Sequence, residues 1–280
     1  LPISDATEGW WDQMIGPGKA IDTNKYFIVC PNNLGGCAGS TGPTSINPAS
    51  KEPYGGDFPV VSVSDWVNSQ KLLMEHLGIN KWEIVIGGSL GGMQALEWSL
   101  SYPHLVNKAG VIAAAAKAST QNIGMNEVAR EAIRKDENFH DGNYLAMRTK
   151  PKRGLKTARM LGHITYLSEE HMNLRFGRKV QNEDTKIDGY VDFEIENYLK
   201  YKGEKFSDSF DANSYILMTK AMDGYDPASK KNGNLTKAME PIKAKLLIVG
   251  FETDWLFPAK RGKEIQAAAM NANVLSSFVI

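Results

Sequence analysis

The sequence predicts an α/β fold, a mostly parallel sheet covered by helices and carrying an inserted helical cap. Three observations lead there. Short β-branched and aromatic runs alternate with stretches of helical pattern over residues 64–116 and again over 245–280. A glycine-rich turn, Gly87-Gly88-Ser89-Leu90-Gly91, joins one such run directly to a helix. From about Ser119 to Asp223 the pattern is helical, with polar interruptions and no strong strand. The expected division is a first core part over 1–118, the cap over 119–240, and a second core part over 241–280 that is incomplete.

The elements follow in order. Residues 26–30, Tyr-Phe-Ile-Val-Cys, read as a buried strand between Asn24 and Pro31. A Gly, Ser and Pro-rich stretch over 32–59 reads as a structured loop. Residues 64–77 form a helix capped by Ser64 and ended by Gly78. Residues 82–86 are a strand, 91–101 a helix stopped before Pro103, and 108–116 a strand. In the middle, 154–167 and a single helix within 206–222 are the clearest helical patterns. A strand over 245–250, a helix over 260–270 and a strand over 274–280 close the chain.

Composition narrows the function classes. A chain of 280 residues, 42% hydrophobic, is long enough for a large core. Thirty-two basic residues balance thirty-two acidic ones, which gives no electrostatic case for nucleic acid or an anionic membrane. The short basic run over 150–153 reads as a solvated loop. Cys30 and Cys37 make no disulfide framework and fit no zinc spacing, so no metal is expected and the protein is placed in the cytosol. No apolar run of about 18 residues occurs, so no membrane span is expected, and no signal peptide is expected either.

The glycine-rich turn carries the chemistry. A Gly-x-Ser-x-Gly match becomes informative when a strand precedes it and a helix follows it, as here. The serine then occupies a strained turn above the C-terminal edge of the sheet, where open α/β sheets bind ligands. Side chains at positions 87 and 91 are expected to collide with backbone. Ser89 is therefore the expected nucleophile, and the Leu90 N–H, at a helix start, an oxyanion donor.

A serine hydroxyl needs a base, and the base an orienting carboxylate. In the α/β-hydrolase order Ser, acid, His, the acid follows a later strand. Asp254, in the loop after strand 245–250, fits that place, with Glu252 as the competing carboxylate. A histidine should come next, yet His76, His104, His140, His163 and His171 all lie upstream. No second oxyanion donor is visible either, and only one clear strand precedes the nucleophile strand. The chain is thus expected to lack parts of the fold at both ends, and to be inactive alone.

Gly87-Gly88-Ser89-Leu90-Gly91-Gly92-Met93-Gln94-Ala95-Leu96-Glu97-Trp98 resembles the nucleophile segment of homoserine O-acetyltransferases. So do Trp10-Trp11-Asp12, Ile15-Gly16-Pro17-Gly18, Asn33-Leu34-Gly35-Gly36-Cys37, Gly39-Ser40-Thr41-Gly42-Pro43 and Ser45-Ile46-Asn47-Pro48. Gln121-Asn122-Ile123, Asn126-Glu127-Val128, Ala158-Arg159-Met160, His163-Ile164-Thr165-Tyr166-Leu167-Ser168 and Asp254-Trp255-Leu256-Phe257-Pro258 extend the likeness. The resemblance implies ping-pong acyl transfer from acetyl-CoA, through Ser89, to the hydroxyl of L-homoserine for methionine synthesis. It implies no cofactor beyond acetyl-CoA as co-substrate, and a homodimer built through the cap.

It also makes Arg159 similar to the arginine that holds the substrate carboxylate. Independently, Arg159 and Tyr166 are seven residues apart and share a helix face, with His163 between them. A guanidinium fork suits a carboxylate. A succinyl donor, a serine acceptor, an esterase and a non-catalytic relative remain open on the residues alone.

Overall fold

The computed structural model describes residue 9 and residues 11–181 and 192–280. Trp10 lies outside the described residues. The chain divides into two units, Leu1–Asn32 and Asn33–Ile280.

In the first unit, β1 (Ile15–Gly16) and β2 (Ile21–Asp22) form a short parallel pair. The Asp22 carboxylate accepts from Gly18 N and Asn24 N, both at 3.0 Å, and these donors hold it below the usual carboxylate range. The strand expected over 26–30 is absent. Those residues join no ladder, and Phe27 is 73% exposed. β-Branched and aromatic composition suits a pleated surface, but a strand exists only where a neighbour completes its hydrogen bonds.

The second unit is built on a four-stranded parallel sheet in the order β3 (Trp82–Gly88), β4 (Val106–Ile112), β5 (Lys245–Val249), β6 (Ser276–Val279). The register pairs Gly88 with Ile112, Ile112 with Val249, and Val249 with Val279. The four strands therefore end level at one edge. β4 stops at Ile112, short of the expected Ala116, because Ala113 turns to φ 45°. Parallel strands need crossovers, and helices supply them. They include α2 (Leu90–Ser101) and, later in the chain, α9 (Ala259–Asn271), while α1 (Val63–His76) precedes β3. Val67, Leu96, Trp98, Val111, Ile248 and Ile265 are buried together in the core between sheet and helices.

Ser62, not Ser64, caps α1. Its side chain accepts from Asp65 N at 3.2 Å while the Asp65 carboxylate accepts from Ser62 N at 2.9 Å, a reciprocal capping box. Ser64 already lies inside the helix, where its hydroxyl donates to Glu97 Oε1 at 2.8 Å. Both serines precede the apolar run. Only Ser62 has a carboxylate three residues on to close the box.

Between β4 and β5 in the sequence come α3 (Thr120–Arg134), α4 (Lys152–Tyr166), α5 (Glu169–Arg175), α6 (Glu194–Ser209), α7 (Ala212–Gly224) and α8 (Leu235–Met239). Ile133, Phe139, Tyr144, Leu155, Ala158 and Ala212 form a separate buried cluster there. The helix expected within 206–222 is α7, which holds Tyr215, Ile216, Met218 and Ala221, and the start of that stretch is the end of α6. Asp211 separates α6 from α7, its carboxylate capping α7 through Ser214 N at 2.8 Å and accepting from the buried Tyr144 hydroxyl. Lys152 of the basic run pairs with Asp208 at 2.6 Å, and Arg153 with Glu137 at 3.3 Å. Among the described residues no helix is long and apolar enough to cross a membrane.

Candidate active site

β3 delivers Ser89 into the strained turn. Ser89 has φ 55° and ψ −119°, a conformation few non-glycine residues hold without support. The support is backbone: Ser89 N donates to Ile112 O at 2.8 Å, and Ser89 O accepts from Met93 N at 3.1 Å. The side chain takes no part in capping α2. Its hydroxyl is left for chemistry.

The glycines divide the work differently from the expectation. A Cβ on Gly87 would lie 2.4 Å from the Gly91 carbonyl carbon and 2.5 Å from its oxygen. A Cβ on Gly91 would meet nothing within 4 Å. The second crowded position is Gly92, where a Cβ would approach Ala114 Cβ to 2.7 Å. The helix turns the Gly91 side away from the strand it follows, so the crowding falls one residue later.

Leu90 opens α2, so its N–H precedes the first intrahelical bond and points from the positive end of the helix. A residue the sequence reading missed stands with it. Leu34, in the Gly-rich loop, is fixed by its carbonyl, which accepts from Trp66 Nε1 at 2.7 Å. Its side chain and that of Leu90 pack against the same buried cluster, which includes Val63, Trp66, Met93 and Phe257. Among the described residues its N–H has no partner. The signal was present in Asn33-Leu34-Gly35-Gly36, after the strand expected over 26–30, but nothing in the sequence places that loop beside the Ser89 turn.

Asp254 follows β5, two strands from β3, at a lateral spacing of about 10 Å. Its Oδ1 accepts from Leu256 N and Phe257 N, both at 2.8 Å, which locks the loop around a buried Phe257. Asn122 fastens the loop from outside, donating to Leu256 O at 2.5 Å. Asn122 is itself held in a capping box with Ser119 at the start of α3. Glu252 is exposed and makes no such bonds.

Arg159 and Tyr166 come together on α4, as their spacing predicts. The Arg159 guanidinium lies 5.6 Å from the Tyr166 ring centre and 4.5 Å from that of Phe206. Arg159 has no ion pair among the described residues, and its Nε is buried without a hydrogen bond. His163 sits beside them, its ring against Tyr166 and Tyr198. Burial first, then the charges of Arg159 and Lys202, lower its pKa to about 4. It is neutral at pH 7. Because the unfolded imidazole titrates near 6.5, the folded state binds fewer protons between the two values. Stability is therefore expected to fall as pH drops from about 6.5 to about 4. An NMR titration of the His163 ring with its midpoint near 6.5 would contradict this.

Ser89, Asp254 and Arg159 share no direct hydrogen bond or ion pair. Nor does any of the five histidines bond to Ser89 or Asp254. The turn and its surroundings offer a serine hydroxyl, two free amides and a fixed carboxylate, and α4 separately carries an unpaired guanidinium.

Known proteins share this arrangement of chain. A family model described as the alpha/beta hydrolase fold matches residues 6–276. The homoserine O-succinyltransferase of Hahella chejuensis is 55% identical over 278 residues, 99% of this chain and 72% of that protein. That of Dechloromonas aromatica is 55% identical over 262 residues, covering 94% and 70%. In structure, homoserine O-acetyltransferase from Bacillus anthracis aligns with a TM-score of 0.90 at 28% identity, covering all of this chain and 76% of that one. Esterase E22 aligns at 0.87 with 31% identity, over all of this chain and 77% of its own. By fold, turn and sequence, this chain belongs to the α/β-hydrolase family and, within it, to the homoserine O-acyltransferases.

Proposed function

We propose that the protein carries an acetyl group from acetyl-CoA on Ser89 and passes it to the hydroxyl of L-homoserine. The observation that carries this is the Ser89 turn, strained and held from its backbone, with the Leu90 amide at the helix start beside it. Ser89 Oγ attacks the thioester carbonyl, its proton passes to a base, and the thiol of CoA leaves. The tetrahedral oxyanion is met by the N–H groups of Leu90 and Leu34. The homoserine hydroxyl then repeats the attack on the ester. Asp254 orients the base. The five histidines stand elsewhere, on helices and turns, so the 280 residues alone are expected to transfer acyl groups very slowly.

Arg159 holds the homoserine carboxylate. Its buried Nε has an unmade bond, which an acceptor with two oxygens completes. Arg159→Lys keeps the charge and loses the fork. It is expected to lower kcat/KM for homoserine about tenfold or more, chiefly through KM. An unchanged KM would remove Arg159 from substrate binding.

The acetyl reading has in its favour the likeness to homoserine O-acetyltransferase from Bacillus anthracis, at a TM-score of 0.90 over all of this chain. A second reading, the succinyl donor, has in its favour the names of the relatives at 55% identity. The likeness to esterase E22 keeps hydrolysis as the comparison arm. The test measures CoA release from acetyl-CoA and from succinyl-CoA, each with and without L-homoserine, with imidazole supplied as base. Homoserine-dependent release from acetyl-CoA is expected. Preference for succinyl-CoA would overturn the donor assignment, and release that ignores homoserine would make the enzyme a hydrolase.

A further inference from the structure

Asn122, which fastens the Asp254 loop, belongs to a row. Asn122, Asn126 and Arg130 stand four residues apart on α3, so they share one face over about 12 Å of helix. All three are buried, at 2%, 8% and 1% exposed. Polar side chains buried in a row are costly unless each finds a partner. Asn122 donates to Leu256 O at 2.5 Å, in the loop after β5. Asn126 donates to Asp223 Oδ1 at 2.7 Å, near the end of α7. Arg130 Nη1 lies 2.8 Å from Asp223 Oδ2, a contact of charge off the hydrogen-bond axis.

Charge balance alone does not call for this geometry. Glu127, on α3 itself, already meets Arg130 through Nε at 2.8 Å and Nη2 at 2.7 Å. What Asp223 adds is a tie to a second helix, at two points of α3 one turn apart. Two such points set both the rotation of α3 and its place along its axis. Asn122 lies one turn before them. A slide of α3 by about 1 Å would take its amide out of hydrogen-bond reach of Leu256 O. Leu256 N and Phe257 N are in turn the donors that hold Asp254 Oδ1.

We propose that Asp223 is a positioning residue for Asp254: held by Asn126 and Arg130, it sets α3, and α3 through Asn122 sets the loop that carries the acid. The last helix before the segment leading to α8 is thereby tied to the acid loop after β5. This rests on the reading of Asp254 as the carboxylate that orients the base.

Hydrogen exchange at the Leu256 and Phe257 amides, followed by NMR, reads the loop without any reaction. Asp223→Asn is expected to speed exchange at both about tenfold, while the amide of Ile248 in β5 exchanges as before. In an Asn122→Ala background the same change is expected to add nothing, because the link is already cut. Asn126→Ala removes one of the two ties and serves if Asp223→Asn fails to fold; the same pattern is expected, to a smaller degree. With imidazole supplied as base, Asp223→Asn is expected to lower kcat for acetyl transfer to L-homoserine and to leave its KM unchanged. Unchanged exchange at Leu256 and Phe257, an equal rise at Ile248, or an effect that persists in the Asn122→Ala background would overturn the proposal. Faster exchange at the two amides with kcat unchanged would uphold the positioning of the loop and remove Asp254 from the reaction instead.

Discussion

Ser89→Ala is expected to abolish the homoserine acylation that imidazole, supplied as base, supports, while leaving the fold as stable as before. The two halves of that expectation have separate causes. The hydroxyl is the only atom lost, and the acyl group has no other carrier. The turn survives because backbone holds it: Ser89 N on Ile112 O and Met93 N on Ser89 O are untouched by the change. Ser89 makes no side-chain cap, so alanine removes no bond from α2. Alanine also meets the same φ of 55° at a cost like that of serine. Acylation kinetics and urea denaturation of the same preparation check both halves. Loss of stability equal to the loss of a cap would show that the hydroxyl is structural.

Gly87→Ala is expected to destabilise the protein by about 3 kcal/mol or more, and Gly91→Ala to stabilise it by up to about 1 kcal/mol. The motif treats the two glycines alike. The structure does not. At position 87 the new methyl would press on the backbone of residue 91 at 2.4 Å, and neither strand end nor helix start can retreat without losing the Ser89 conformation. At position 91 the methyl enters open space on a helix with ordinary φ, and alanine favours helix over glycine. Denaturation midpoints of the two variants separate the cases. Equal destabilisation by both would mean that Gly91 is as crowded as Gly87.

The sheet strands of the second unit and their flanking helices were legible because short apolar runs, as in residues 82–86 and 245–250, alternate with helical pattern, even though Ile84 is 40% and Leu247 41% exposed. The places of Ser89 and Asp254 past strand ends were legible because the strands before them were. What escaped depends on partners that sequence spacing does not reveal. Tyr26 to Cys30 has strand composition and no ladder. Ser62 outranks Ser64 through a reciprocal bond with Asp65. Asp211 ends one helical pattern by capping a new helix and binding Tyr144 across 67 residues. Leu34 gains its place only when Trp66 fixes its carbonyl. For Arg159 the sequence supplied the face, and the structure supplied the unmade bond.

The central claim is that Ser89 carries the acyl group on its way to homoserine. The most direct measurement is peptide mass analysis of the protein after mixing with acetyl-CoA, with imidazole supplied as base, before and after L-homoserine is added. One acetyl group on the peptide containing Ser89, discharged by L-homoserine faster than by water, is the predicted result. An acetyl group on any other residue, none on Ser89, or discharge indifferent to homoserine would contradict it.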